Sequence, residues 1–374
     1  MLECKVLKWY LIITGIIYFI TLFDGVVKTK IRAKKNLSLF LALSVLLFFM
    51  AFRSFYTGVD TIIYVNAFDQ IKNYSMIDAL KKPIFGLGNY TIGLEPGYRL
   101  FNWVSGIISK NNQTIIVTVS TFIITIVYAI IIRKSPYPLL SVWMYLTLGI
   151  YQTEMNISRN AIALMLCFLT DDLIYEKKLI KFILVILLAS SFHASAFLFI
   201  PVYFLVNYVP IGKRTIKWML VIAVVSMLLL PFVRSTIVII LPFYQRYFMS
   251  NKRDYASLVV GLFYYMLFIV VLFFVKKNDR HLILKEEAFG TWMFLLNTMI
   301  FIVGINMTNA ARAAAIFGPY IIVYLPRLIN RGITGNKRFW VRVALYFLCV
   351  AQYISRMFIN NIGGTMPYMF TWNM

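Results

Sequence analysis

Residues able to do chemistry are sparse in this 374-residue chain, and they recur at the edges of apolar runs. Asp60 stands in "FRSFYTGVDTIIYVNAF", with Arg53 upstream and Tyr64 one helical turn on. Glu95 and Arg99 share "LEPGYRLFNW", and Asn156, Arg159 and Asn160 open "NISRNAIAL". His193 interrupts "ILLASSFHASAFLFIPVYFL", Arg312 lies in "NMTNAARAAAIFGPY", and Arg246 lies in "LPFYQRYFMSNKRDY". Arginine offers a permanent charge and a planar fork of donors suited to phosphate oxygens. Carboxylates and a histidine beside such arginines are the parts of a general acid or base. His193 is the first choice for a base, since an imidazole titrates near neutrality, and Asp60 or Glu95 follow. No DxD motif and no His/Asp cluster at ligand spacing occurs, and Cys4, Cys167 and Cys349 lie far apart. The pattern therefore calls for no metal, no cofactor and no disulfide.

Each residue also has a plainer reading. Asp60, after Gly58, suits a helix N-cap. Glu95 and Arg99 are four residues apart and can form one capping ion pair. Asn156, Arg159 and Asn160 fall at i, i+3 and i+4 on one helix face, where an arginine can simply snorkel. A lone histidine near an apolar tip is more often structural. Position relative to a membrane separates these readings.

That a membrane is involved follows from composition. The chain is 61% hydrophobic and 14% charged, with mean hydropathy +0.79, and several runs reach the ~18 apolar residues of a spanning helix. The fold expected is all-α: a polytopic integral membrane protein of about twelve spans, as one domain over 1–374. The net charge of +23 reads as positive-inside loops, and no aromatic-basic module argues for nucleic acid. The basic linker "KTKIRAKK" at 28–35 is placed in the cytoplasm, which puts the N-terminus outside. The inner loops then hold 22 of the 37 Lys and Arg residues.

With this topology the chemical residues collect on the outer side. Residues 53–94 form a large extracytoplasmic loop carrying an amphipathic helix, with Ile62, Ile63, Phe68 and Ile71 on one apolar face. Residues 95–109 are too short and polar to span, and read as a re-entrant or interfacial helix. Ser191 to Ala194 becomes an outer hairpin tip. Arg53, Arg99, Arg159, Arg246 and Arg312 all stand at outer ends of different spans, which the positive-inside rule alone does not predict.

The blocks "FRSFYTGVDTIIYVNAF", "EPGYRLFNW", "NISRNAIAL" with "SSFHASAFLFIPVYFL", and the terminal "GGTMPYMF" occur in the order seen in the EpsG family of Wzy-type polysaccharide polymerases, which the chain resembles. The resemblance implies a metal-independent enzyme of the bacterial cytoplasmic membrane, active on its outer face. Its substrates would be polyprenyl-pyrophosphate-linked oligosaccharides, one as donor and one as acceptor. Its partners would be membrane lipid, a flippase and a chain-length regulator. It further implies catalytic roles for His193, Asp60 and Glu95, and substrate binding by Arg53, Tyr64, Arg99, Arg159 and Arg312; the residue clusters themselves add Asn156 and Arg246 as substrate-binding candidates. Two rivals share the residues: a lipid-linked oligosaccharide flippase or transporter, which ordinarily needs midplane charge and an internal repeat, and a membrane O-acyltransferase. A non-enzymatic scaffold leaves the outer arginines without a purpose.

Overall fold

The computed structural model describes residues 2–26, 32–82, 84–87, 90–240, 255–275, 280–306, 310–359 and 361–373. By compactness the chain divides into one unit of Met1–Ile200 with Leu348–Met374 and a second of Pro201–Phe347.

In the first unit, α1 (Leu2–Val26) and α2 (Arg32–Ala51) pack together, and α2 lies along the long apolar α6 (Gln113–Lys134). Between α2 and α6 the chain forms α3 (Thr61–Ile71), α4 (Met76–Lys81), an antiparallel hairpin of β1 (Ile84–Leu87) and β2 (Tyr90–Gly93), and α5 (Pro96–Ile108). After α6 come α7 (Pro138–Thr147), α8 (Ile150–Asn156), α9 (Ser158–Phe168), α10 (Asp171–Tyr175), α11 (Leu179–Ser190) and a 3-10 helix, Ala194–Phe199. The spans expected at 138–153 and 157–175 are thus segmented. Gly149, with φ of 74°, separates α7 from α8, and Ile157 separates α8 from α9.

Two sequence expectations change in detail. The amphipathic helix exists as α3, but its buried stripe is Thr61, Tyr64, Val65, Phe68 and Ile71, while Ile62 and Ile63 are only half-buried. Packing under α5 and α6 selects that phase, because residues three and four apart share a helical face. The short helix expected near 95–109 is α5, opened by Pro96 at its first position, where the missing N–H costs nothing. It is inverted relative to a soluble helix: Arg99, Asn102 and Ser105 are buried, whereas Ile107 and Ile108 are 64% and 70% exposed. An apolar outer face over a polar inner one suits lipid outside and protein inside.

The C-terminal "GGTMPYMF" returns to the end of α2 as an extended strap. Arg53 forms a bridge with Phe370, the Ser54 N–H donates to the Met369 carbonyl at 2.8 Å, and the Val59 N–H to Gly363 at 3.0 Å. Gly58, Gly363 and Gly364 all have positive φ, which only glycine adopts freely.

The second unit holds α12 (Ile200–Tyr208), α13 (Lys213–Ile240), α14 (Tyr255–Phe274), α15 (Arg280–Glu286), α16 (Ala288–Val303), α17 (Ala310–Ala314), α18 (Ile321–Gly332) and most of α19 (Asn336–Ile354). Helix α16 is its centre, packed on α13, α14 and α18. Buried Glu287 accepts from Arg327 Nε at 3.0 Å and pairs with Arg331 at 3.1 Å, closing one end.

Among the described residues, α6 and α14 are long and apolar enough to cross a membrane, and several shorter apolar helices accompany them.

Candidate functional site

The site is built on the break between α8 and α9. Ile157 takes φ −98° and ψ 45°, so the helix stops at Asn156 and restarts at Ser158. On either side of the break, the three residues whose spacing put them on one face reach three different segments. The Asn156 side-chain oxygen accepts the Asp60 N–H at 2.8 Å. Arg159 Nη1 donates to the Gly93 carbonyl at 2.6 Å and to Glu95 Oε2 at 2.7 Å. Ser195 Oγ donates to the Asn160 side-chain oxygen at 3.1 Å, and the same hydroxyl lies 2.6 Å from His193 Nδ1.

Glu95 joins the second and third of these contacts. Its Oε1 accepts the Ala194 N–H at 3.3 Å, while the Gly97 N–H donates to the Ser191 carbonyl at 2.7 Å. The start of α5 is therefore seated on the hairpin tip that carries His193. Gly97 is required for that seating: a Cβ there would lie 2.8 Å and 2.9 Å from the Ser191 carbonyl oxygen and carbon. The Arg159 and Glu95 side chains are 19% and 23% exposed, so the pair is held from behind yet open to a ligand. Tyr64 hydrogen-bonds the Arg159 guanidinium and packs edge-on against Tyr98, with ring centroids 5.6 Å apart.

The structure brings Asp60, Tyr64, Glu95, Asn156, Arg159 and His193 into one connected set, although they are spread over 134 positions of sequence. Two arginines stand apart from its open side. Arg53 is 1% exposed, and its donors go to the Met50 carbonyl, to Met155 O at 2.7 Å and to Ser120 Oγ at 3.4 Å. It ties the end of α2 to α8. Burial pulls Arg53 down to about 10, opposed by Tyr151 and Tyr368, so it stays a cation at neutral pH. Arg99 donates to the Leu80 and Ala79 carbonyls, the unpaired C-terminal acceptors of α4. Its buried setting lowers its pKa, and Glu95 opposes that shift.

The i, i+4 ion pair expected between Glu95 and Arg99 is replaced by Glu95–Arg159. Glu95 precedes α5 with ψ of 150°, so its side chain leaves the face that Arg99 occupies. The plain capping role weighed for Asp60 is also not the one taken: Asp60 occupies the N-cap position of α3, but its carboxylate makes no capping bond. Arg312 lies exposed on α17 of the second unit. Arg246 falls outside the described residues.

Sequence reasoning passed over Ser195, Gly97 and Glu154. Ser195 had a usable signal, a hydroxyl two residues after a histidine at a helix start. Glu154, 1% exposed in "TEMN", accepts the Tyr145 hydroxyl on Oε2 at 2.5 Å, and no donor meets its other oxygen. An acid between two apolar stretches was its signal.

Helices with apolar residues turned outward, enclosing arginines and carboxylates at a helix break, define an integral membrane protein with a polar site among its helices. The model of the EpsG family matches residues 36–370, nearly the whole chain. The chain belongs to the EpsG family, a family of Wzy-like polymerases, which places it in exopolysaccharide synthesis. No curated protein and no solved structure matches it.

Proposed function

We propose that the protein joins polyprenyl-pyrophosphate-linked oligosaccharide repeat units at the outer face of the bacterial cytoplasmic membrane. About twelve crossings place both termini outside. The bond from the donor's reducing-end sugar to its pyrophosphate breaks. A new glycosidic bond forms to a hydroxyl of the acceptor repeat, whose proton passes to a base, and the lipid pyrophosphate leaves with the bonding electrons. The protein must hold and neutralise the pyrophosphate, orient the two sugars and accept one proton.

The observation that carries this reading is the partly open Arg159–Glu95 pair, joined through Ala194 to His193. Arg159 supplies the fork for phosphate, Tyr64 and Asn156 fix its surroundings, and His193, Asp60 and Glu95 are the candidate acid and base. Arg53 and Arg99 enter as positioning residues, because their donors already serve backbone carbonyls. Arg312 and Arg246 are further candidates for substrate contact. The exposed apolar edge of α5 offers the lipid tail a surface.

Purified protein in nanodiscs, given defined lipid-linked repeat units, should yield a ladder of polymer. Translocation of the same lipid without polymer would favour the flippase, and acyl transfer without chain growth would favour the acyltransferase.

A further inference from the structure

The first half of α19 combines two cations that no acid answers with an apolar stripe turned away from the protein. No Asp or Glu follows Glu287 in the sequence, and Glu286 and Glu287 already pair with Arg327 and Arg331. Lys337 and Arg338, in the first turn of α19, form no ion pair among the described residues. Lys337 is exposed, while Arg338 is half-buried and its Nε donates to the Ile333 carbonyl at 2.6 Å. That bond holds the guanidinium at the turn between α18 and α19 and leaves its two terminal nitrogens for a ligand. The turn is open at Gly335, where nothing lies within 4 Å of a Cβ. Lys337, Trp340, Ala344 and Phe347 follow one another at helical spacing and share one face. All four are exposed, Trp340 to 66% and Phe347 to 72%, so Ala344 makes a notch between two outward rings. From Lys337 to Phe347 the helix rises about 15 Å, half of the ~30 Å hydrocarbon core of a bilayer. Exposed Phe339 meets Trp340 edge-on, with ring centroids 5.3 Å apart, and widens the aromatic surface next to the cations.

We propose that this face binds one anionic phospholipid, with its phosphate on Lys337 and Arg338 and an acyl chain lying over Ala344 between Trp340 and Phe347. The inference needs only a membrane protein and stands apart from the transferase reading above. Charge complementarity selects the headgroup. Two cations without a carboxylate partner favour a phosphodiester of net negative charge, whereas the ammonium of a zwitterionic lipid would lie against them. Arg342, one turn past Arg338, adds a third positive charge to that side of the helix. The rings select a lipid over a free anion. A soluble phosphate would need the cations alone, while an exposed aromatic stripe one leaflet deep matches a chain running from headgroup toward midplane. The positive-inside reading puts this end of α19 at the cytoplasmic leaflet, where anionic lipid attracts basic segments.

The test uses the full-length protein in nanodiscs of mixed dioleoyl phosphatidylglycerol and phosphatidylcholine, with a small fixed share of one lipid carrying brominated chains that quench nearby tryptophan. The chain holds seven tryptophans, so the Trp340 signal is the difference between each protein and its Trp340→Phe counterpart. At equal brominated share, phosphatidylglycerol should quench Trp340 as though enriched on the order of 10-fold over phosphatidylcholine. Lys337→Gln or Arg338→Gln should cut that enrichment about 5-fold, and the double variant should abolish it. Lys337→Gln carries the test if Arg338→Gln loosens the turn, because the Lys337 ammonium holds no bond of the fold. Ala344→Leu fills the notch and keeps both cations, so quenching by phosphatidylglycerol should weaken there too. Equal quenching by the two lipids in the wild type would leave only a general interfacial belt. Enrichment that survives the double variant would move the headgroup elsewhere, and full quenching in Ala344→Leu would move the chain. Absence of quenching by either lipid would turn Trp340 away from the bilayer. Displacement of the brominated phosphatidylglycerol by millimolar inorganic phosphate would make the cations a site for soluble anions. Each of these results overturns the inference.

Discussion

Replacing Gly97 by alanine should pull the start of α5 off the hairpin tip and disable the site without touching a catalytic group. The new methyl group would stand 2.8 Å and 2.9 Å from the Ser191 carbonyl oxygen and carbon, and closer still to Ser191 Oγ. The hydroxyl can rotate away, but the carbonyl is backbone and must retreat by roughly 0.5 Å to restore ordinary contact. That retreat lengthens the 2.7 Å bond from the Gly97 N–H to Ser191 O to roughly 3.2 Å, the weak end of the useful range. The overpacking costs about 1 to 3 kcal/mol and the weakened hydrogen bond up to about 1 more, so about 1 to 4 kcal/mol in all. The 3.3 Å contact from the Ala194 N–H to Glu95, already long, opens with it. Arg159 then loses its alignment with His193. A ~1 Å displacement in a positioned site costs about 10²-fold, so a retreat of roughly half that should lower turnover about 10-fold. The assay pairs thermal unfolding in detergent with polymer formed per folded molecule. Gly97→Ala/Ser191→Gly, which removes the hydroxyl contact but not the carbonyl, should recover part of the loss. Gly15→Ala serves as the control, since nothing lies within 4 Å of a Cβ there. Wild-type melting and turnover in Gly97→Ala would refute the seating of α5 on the tip.

Three further outcomes are expected. Arg159→Lys keeps the charge but cannot span Gly93 O, Glu95 and a phosphate together, so polymer should fall about 10² to 10³-fold at normal membrane levels of protein, and wild-type polymer would favour interfacial snorkelling. Arg53→Ala strips donors from two buried carbonyls and leaves a cavity, costing about 3 kcal/mol or more, so little monodisperse protein should survive extraction; a stable but inactive variant would instead place Arg53 on the substrate. A cysteine at exposed Asn73 should react with an impermeant thiol reagent on wall-stripped cells, and one at exposed Asn336 should not, with the opposite pattern moving the site to the cytoplasm.

The broad class was legible because it follows from composition and one-dimensional pattern. Apolar runs of spanning length, the basic "KTKIRAKK" linker and the ordered blocks indicated a helical membrane protein of the EpsG family. Local stereochemistry was legible too: Pro96 opens α5, and Gly58 takes the positive φ of a turn. The spacing of Asn156, Arg159 and Asn160 marked residues that do meet at the site, but not one helix face, because the break at Ile157 leaves Asn156 on α8 and the other two on α9. What no pattern held was the partner of each side chain. Glu95 and Arg99 satisfy the i, i+4 rule, yet Glu95 lies just before the helix and meets an arginine 64 residues away. The arginines look alike as letters, but packing buries Arg53 and Arg99 against carbonyls and leaves Arg159 partly open. The break at Ile157 and the return of the C-terminal strap to Arg53 are also decisions of the tertiary structure. Hydrophobic spacing depends on near neighbours and so survives in sequence, whereas ion pairs and close backbone approaches depend on which distant segments meet.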